Sequence, residues 1–253
     1  MRVTSHSTTD IGSRDYNDDS CADADLMAGR CVIVADGAGG HKGGAVASKL
    51  VVDSVLLHLA SAPVWDDRTL LAAVDAASAA VHVRQRDDAA TAEMSSTVAV
   101  LCIDGAAGAA RWTHLGDTRI LFFRRGVVEQ LTRDHSVVQS FIDAGVYDGE
   151  MAGGRPDRSM LYAAIGAEGE TRPAVGSRDN LEDGDAFLVC TDGVWDTIRE
   201  ETITTLLNIS ASVEEWVSSI ASVVRTTAKV RQDNYSAVGV WIGSPEEVTV
   251  IKV

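Results

Sequence analysis

The sequence predicts an α+β fold, and three observations carry that expectation. Strand-like and helical stretches succeed one another without regular β-α alternation. Two helical stretches fall together early and two more fall together late. Between Ser96 and Gln130 the pattern changes to short β-branched and aromatic runs joined by glycine-bearing turns. That order favours antiparallel sheets with helices segregated to their outer faces.

Local pattern defines the elements one by one. A first strand covers Arg2 to Asp10, and Asp15 to Asp25 reads as a polar loop with acids at 15, 18, 19, 23 and 25. The apolar run from Cys31 to Ala35 reads as a buried strand. Helices are expected over Ala45 to Leu59, with Val46, Leu50 and Leu57 on one broad face, and over Thr69 to Arg86, with Leu70, Val74, Ala77 and Val81 at three- and four-residue steps. Pro63 separates them. An antiparallel meander spans Ser96 to Gln130, and His135 to Ala144 reads as helix. The stretch from Gly145 to Ser159, rich in glycine and carrying Pro156, reads as an excursion from the core. Strands are expected at 172–178 and 186–191, helices at 199–208 and 213–228, and final strands at 236–242 and 247–252.

With 253 residues, 45% of them hydrophobic, the chain is long enough to bury an ample core, and a single domain over 1–253 is expected. No stretch reads as the roughly 18 apolar residues of a membrane helix, and the segment after Met1 lacks a signal peptide's apolar run, so a cytoplasmic chain is expected. The formal charge of −15 argues against nucleic-acid or anionic-membrane partners. Cysteines at 21, 31, 102 and 190 are too dispersed for a zinc-ligand pattern or a disulfide framework.

Two apolar runs end on Asp-Gly pairs, Asp36-Gly37 and Asp192-Gly193, and a third acid stands at Asp233-Asn234. An acid where a strand stops points its carboxylate off a rigid scaffold, and the glycine lets the backbone bend close to whatever the acid holds. Three such acids suggest a divalent-cation site. Asp-Gly is also the common hairpin dipeptide, and Asp104-Gly105, Asp148-Gly149 and Asp183-Gly184 are further copies. Asp104 leads into a second strand-like run and reads as an ordinary turn, whereas Asp36 leads into a glycine-rich stretch and then a helix.

Seven segments together resemble the bacterial PPM family, the type 2C metal-dependent serine/threonine protein phosphatases. They are Arg14 to Asp19, Val34 to His41, Ser96-Thr97, Leu115 to Arg119, Leu131 to Ser136, Cys190 to Asp196 and Asp233 to Ser236. The resemblance covers nearly the whole chain. It implies a four-layer α-β-β-α sandwich, two packed antiparallel sheets flanked by helices, with the active site in a cleft at one end.

It also implies two Mn²⁺ or Mg²⁺ ions. Asp36 would be shared between them, the Gly37 carbonyl would bind one, and Asp192 and Asp233 would hold the other. Hard cations of this kind prefer oxygen ligands. Asp18 and Asp19 match an acidic pair near the second metal, and Asp117 matches an acid that helps hold a third, looser ion, with turn capping as the competing role. Arg14 would orient the phosphate, unless it is a surface arginine paired with Asp15 or Asp18. Asn17, Thr97 and Asn234 would support the ligands by hydrogen bonding or simply cap backbone. The general acid is left between His41 and a metal-bound water, because the family's animal members place a histidine where this chain has Ala38.

Implied partners are phosphorylated proteins, either kinase substrates or kinases. Gly145 to Ser159 resembles the family's flap. Two other classes compete with this one. A non-catalytic binding module of the same fold would be expected to lose metal acids, which are retained here. An unrelated calcium-binding protein would need an Asp-rich loop with a downstream Glu, which is missing.

Overall fold

The structure is a computed structural model, and it describes residues 1–39, 43–147, 159–168, 172–227 and 232–243. Its organising element is β3 (Gly29–Ala38). Residues Cys31 to Ala35 have no exposed surface at all, because both faces of the strand are covered. Side chains alternate along a strand, so Cys31, Ile33 and Ala35 pack against two helices while Val32 and Val34 pack against a second sheet.

That helical layer is α1 (Gly43–Ala60) and α2 (Asp67–Asp87), the latter capped by Asp66, whose side chain accepts from Thr69 N at 2.8 Å. The sheet beneath runs β2 (Asp19–Leu26), β3, β5 (Val98–Asp104), β6 (Ala109–Leu115), β9 (Ala174–Arg178), with the two-residue β4 (Ser95–Ser96) pairing β3 beyond the main path. The second sheet runs β1 (Val3–Asp10), β11 (Tyr235–Ile242), β10 (Ala186–Cys190), β7 (Arg119–Arg124), β8 (Val127–Gln130). All pairings are antiparallel. Its outer face is covered by α5 (Glu200–Ile209) and α6 (Val213–Thr227). Three apolar layers result, one under each helical pair and one between the sheets. This is the four-layer α-β-β-α sandwich that the resemblance implies.

Several sequence expectations need correction. The acidic stretch to Asp25 is a loop only as far as Asp18; from Asp19 it is β2, an edge strand paired to β3 over its whole length. Arg30 on β3 pairs with Asp23 and Asp25, which offsets the charge that makes the segment look unsuited to a sheet. The helix expected from His135 begins later, as α3 (Val137–Asp143), with Ser136 as its cap. Asp192 opens α4 (Asp192–Trp195), a single turn that strand and turn signals do not reveal. Against expectation, α1 is long and apolar enough to cross a membrane by length and composition; its buried residues pack into the first apolar layer. The strand expected at 247–252 and most of the flap-like excursion lie outside the described residues.

Register decides where the acids go. Asp19 and Asp36 are direct cross-strand partners, and Thr97 immediately precedes β5, so one end of the first sheet carries all three. In the second sheet Cys190 is opposite both Ala237 and Arg119. Asp192 comes just after that strand end, Asp233 precedes the start of β11, and Asp117 lies in the connection from β6 to β7 that crosses between sheets. Asp104 lies at the opposite end of β5, where its side chain accepts from Ala106 N and Ala107 N as a turn cap.

Trp216 anchors the outer helices: fully buried, edge-on to Phe123 with ring centroids 5.4 Å apart, it donates Nε1 to the Ile203 carbonyl at 3.1 Å. Trp216→Ala is expected to lower stability by about 3–5 kcal/mol, measured by urea unfolding.

Candidate active site

The inter-sheet gap is apolar along most of its length and ends in acids. Asp36 continues the alternation of Val32 and Val34 on β3, so its carboxylate emerges at the mouth of the gap. Asp36 is fixed by its backbone, which donates N–H to Thr97 Oγ1 at 2.9 Å and accepts from Thr97 N at 2.8 Å and Ser96 Oγ at 3.0 Å. Thr97 Oγ1 in turn shares a 2.6 Å hydrogen bond with Thr118 Oγ1, tying β5 to the turn that carries Asp117.

Asp19 is buried, and its Oδ2 accepts from Thr191 Oγ1 at 2.9 Å, the residue immediately before Asp192. Asn17 Oδ1 accepts from Asp19 N at 3.2 Å while Asn17 Nδ2 donates to Thr9 Oγ1 at 2.8 Å. Asn234 holds the preceding loop from both sides. Its Oδ1 accepts from Asp18 N at 2.8 Å, and its Nδ2 donates to the Ile11 and Tyr16 carbonyls at 2.8 and 2.9 Å.

The two glycines after the acids mark close backbone crossings. A Cβ on Gly37 would lie 2.0 Å from the Gly44 carbonyl oxygen, and one on Gly193 would lie 2.0 Å from that of Asn234. Any side chain there would push a ligand-bearing segment away.

Three adjoining hollows share these acids. A cleft of about 610 Å³ is lined by Arg14, Tyr16, Asp18, Asp36, Asp233 and Asn234. A smaller one is bounded by Asp36, Thr97, Asp117 and Asp192, and a third by Asp192, Asp196 and Asp233. Among the described residues no three acid, histidine or cysteine side chains are drawn into one tight ligand cluster. Asp233 is turned toward Arg14, whose Nη2 lies 2.6 Å from Asp233 Oδ2.

A family model described as protein phosphatase 2C matches residues 7–235. The chain belongs to the protein phosphatase 2C family. It is 33% identical over 187 residues to the serine/threonine protein phosphatase PstP of Mycobacterium tuberculosis, a match covering 73% of this chain and 35% of that protein. The chain thus spans about a third of the length of that relative. It is 30% identical over 200 residues to the protein phosphatase PhpP of Streptococcus pneumoniae, covering 75% of this chain and 78% of that one. Among solved structures, the M. tuberculosis PstP/Ppp phosphatase superposes with a TM-score of 0.84 at 29% identity, covering 95% of this chain and 99% of that one. The PstP catalytic domain in complex with two manganese ions gives 0.83 at 27% identity, covering 96% and 99%.

The electrostatics fit the cations that such 2C phosphatases use. Burial pushes the Asp36 carboxyl well above the ordinary range, reinforced by the charges of Asp19, Asp192, Asp117 and Asp233. Burial likewise raises Asp19 to about 7, against the hydrogen bonds from Thr191 and Ser236 that favour its ionised form. Asp117 is raised to about 7, by burial first and then by Asp192 and Asp134. Asp18 is raised too, mainly by burial. One buried oxygen each of Asp18 and Asp19 has no hydrogen-bond partner. Carboxylates this strained, with only oxygen donors around them, suit a hard divalent cation.

The described structure therefore gathers Arg14, Asn17, Asp19, Asp36, Gly37, Thr97, Asp117, Asp192, Asp233 and Asn234 at one end of the sandwich. His41 lies outside the described residues. Arg14 is ion-paired, though with Asp233 and not with the Asp15 or Asp18 that the sequence offers as partners. Sequence reasoning misses the supporting hydroxyls of Thr118 and Thr191. Alternation along β10 is the signal that could find Thr191, which continues the inward series of Phe187 and Val189.

The raised carboxyls also govern stability. Asp19, Asp36 and Asp117 bind protons more tightly folded than unfolded, where they titrate near 3.8. Their contribution is complete below about pH 4; that of Asp19 and Asp117 is lost as pH rises through about 7, and that of Asp36 as pH rises through its own raised value. In chelator, the melting temperature should fall from about pH 5 to about pH 8, Asp36→Asn should flatten that fall, and Mn²⁺ should stabilise more at the higher pH. A melting temperature independent of pH, and unmoved by Asp36→Asn, would contradict this electrostatic reading.

Proposed function

We propose that this chain is one catalytic unit that hydrolyses phosphoserine and phosphothreonine in proteins, acting in the cytoplasm in opposition to serine/threonine kinases. One observation carries the reading: carboxylates from segments far apart in sequence line adjoining hollows at one end of the sandwich, in a chain whose family comprises protein phosphatases. Asp36, the Gly37 carbonyl, Asp192 and Asp233 would hold two Mn²⁺ or Mg²⁺ ions, with Asp19 beside them and Asp117 facing a third. Such cations make water acidic enough to serve as a nucleophile near neutral pH and offset charge on phosphoryl oxygens.

The chain's own groups do the positioning. Thr97 and Ser96 fix the backbone of Asp36, and Thr191 occupies one oxygen of Asp19 so that the other faces inward. The Arg14 guanidinium stands at the cleft beside Asp233, where its planar fork suits a tetrahedral anion. Asn234 clamps the Arg14-bearing loop to β11, so the phosphate fork and Asp233 are held in one frame. Tyr16 and Asp15 form the exposed rim over which a phosphorylated segment would lie.

The test is phosphate release from a phosphothreonine peptide. Activity is expected with Mn²⁺, its loss in chelator, and a fall of about two orders of magnitude or more for Asp36→Asn. Equal release in all three conditions would discard the two-ion mechanism, and no release from any phosphopeptide or aryl phosphate would favour a binding module.

Arg14→Ala separates phosphate from metal. It should lower kcat/KM by about 10- to 100-fold through lost phosphate contact. Because Arg14 occupies Asp233, its removal should leave Mn²⁺ affinity unchanged or higher in calorimetry. Collapse of metal binding would overturn the assignment.

A further inference from the structure

Trp195 joins two of the three acids of the smaller hollow, Asp117 and Asp192. It is the last residue of α4, the single turn that begins at Asp192, and that turn is closed by Asp196 N donating to the Asp192 carbonyl at 2.8 Å. The Trp195 ring reaches back across the sheet end to the β6–β7 connection. Its Nε1 donates to the backbone carbonyl of Asp117 itself, at 3.1 Å. The face of the same ring covers the Arg119 guanidinium, with Cζ 3.7 Å from the ring centroid.

Arg119 cannot drift, because Nε and Nη2 grip both oxygens of the buried Asp134 at 3.0 and 2.7 Å. Asp134 is further held by Gln130 Nε2 at 3.3 Å. One side chain, rooted one helical turn from Asp192, is thus fastened at two points to the three-residue segment that starts at Asp117. Asp117 and Asp192 line the same hollow together with Asp36 and Thr97.

We propose that Trp195 is a positioning residue that holds the main chain of Asp117 at a set distance from Asp192, and so tunes the affinity of the third, looser cation that Asp117 would help to hold. The inference rests on the phosphatase reading above and deepens it. A packing tryptophan would need only an apolar bed; this one aims its single polar group at the main chain of one acid while extending the turn that begins with the other. Its contribution to a bound cation is geometric: it touches neither substrate nor reacting atoms.

The experiment is Mn²⁺ binding by calorimetry on the full chain, with thermal unfolding in chelator as a parallel readout. Trp195→Phe retains a ring over Arg119 and removes the N–H donor. It should weaken the weaker class of Mn²⁺ sites by about tenfold, the size expected for loss of an outer hydrogen bond to a ligand, while the tight class stays within about twofold of wild type. Trp195→Leu, which removes the ring as well, should weaken the same class further. Should Trp195→Leu fail to fold, Trp195→Phe alone decides.

Unchanged Mn²⁺ affinities in Trp195→Phe would overturn the proposal. So would equal weakening of tight and weak classes accompanied by a lower melting temperature, which is the signature of a merely structural role. A wild-type chain that binds no Mn²⁺ in either class would sink this inference and the phosphatase reading together, whereas tight binding with a silent Trp195→Phe sinks the inference alone.

Discussion

The structure is governed by one constraint: several carboxylates must share the end of an otherwise apolar gap between two sheets. Burial alone disfavours their ionised form, and each neighbour's charge adds to the penalty, so that Asp19 and Asp117 titrate near neutrality and Asp36 higher than its ordinary range. Every supporting feature of the site holds together groups that would otherwise separate. Threonine hydroxyls at 97, 118 and 191 fix the acids or the turns that bear them, and glycines at 37 and 193 allow backbones to cross where a Cβ would not fit.

The sandwich supplies the rigidity this arrangement needs. β3 is buried on both faces, and the cross-strand pairing of Asp19 with Asp36 means that one register fixes two acids at once. A slip of one residue in either strand would send its acid to the helix-facing side. On the other sheet, pairing of Cys190 with both Ala237 and Arg119 brings the Asp192, Asp233 and Asp117 connections to the same end. Function is therefore concentrated where strands end, and stability is concentrated in the three apolar layers behind it. The Arg14–Asp233 ion pair belongs to this balance: it gives one exposed carboxylate a cationic partner at the cleft. Both partners are substantially exposed, so the pair adds little to stability and can rearrange readily.

Much of this is legible in the sequence, and the reasons differ by residue. Asp36 is distinguished from Asp104 by its downstream neighbours: a glycine-rich stretch and a helix after Asp36, a second strand after Asp104, and the register places the two at opposite ends of the sheets. The α2 face is readable, since Leu70, Val74, Ala77 and Val81 are its buried residues, whereas α1 buries Ala47, Val51, Val55 and Leu59 and leaves Leu57 of the expected face exposed, because a largely apolar helix does not show which stripe faces the core. β2 is not readable, because its acids are compensated by Arg30 on the neighbouring strand, which local pattern does not show. The Thr191 contact to Asp19 spans 172 residues of sequence and the Trp195 contact to Asp117 spans 78, so both depend on tertiary pairing that periodicity cannot register. The single turn at Asp192 is too short to carry a periodic signal.

The most direct test of the account is anomalous scattering at the manganese edge from crystals grown with Mn²⁺. Two strong peaks are expected in the cleft, beside Asp36 and beside Asp192 and Asp233, with Arg14 released from Asp233. An absence of anomalous density at these acids, with Asp233 still paired to Arg14 at saturating Mn²⁺, would contradict the account.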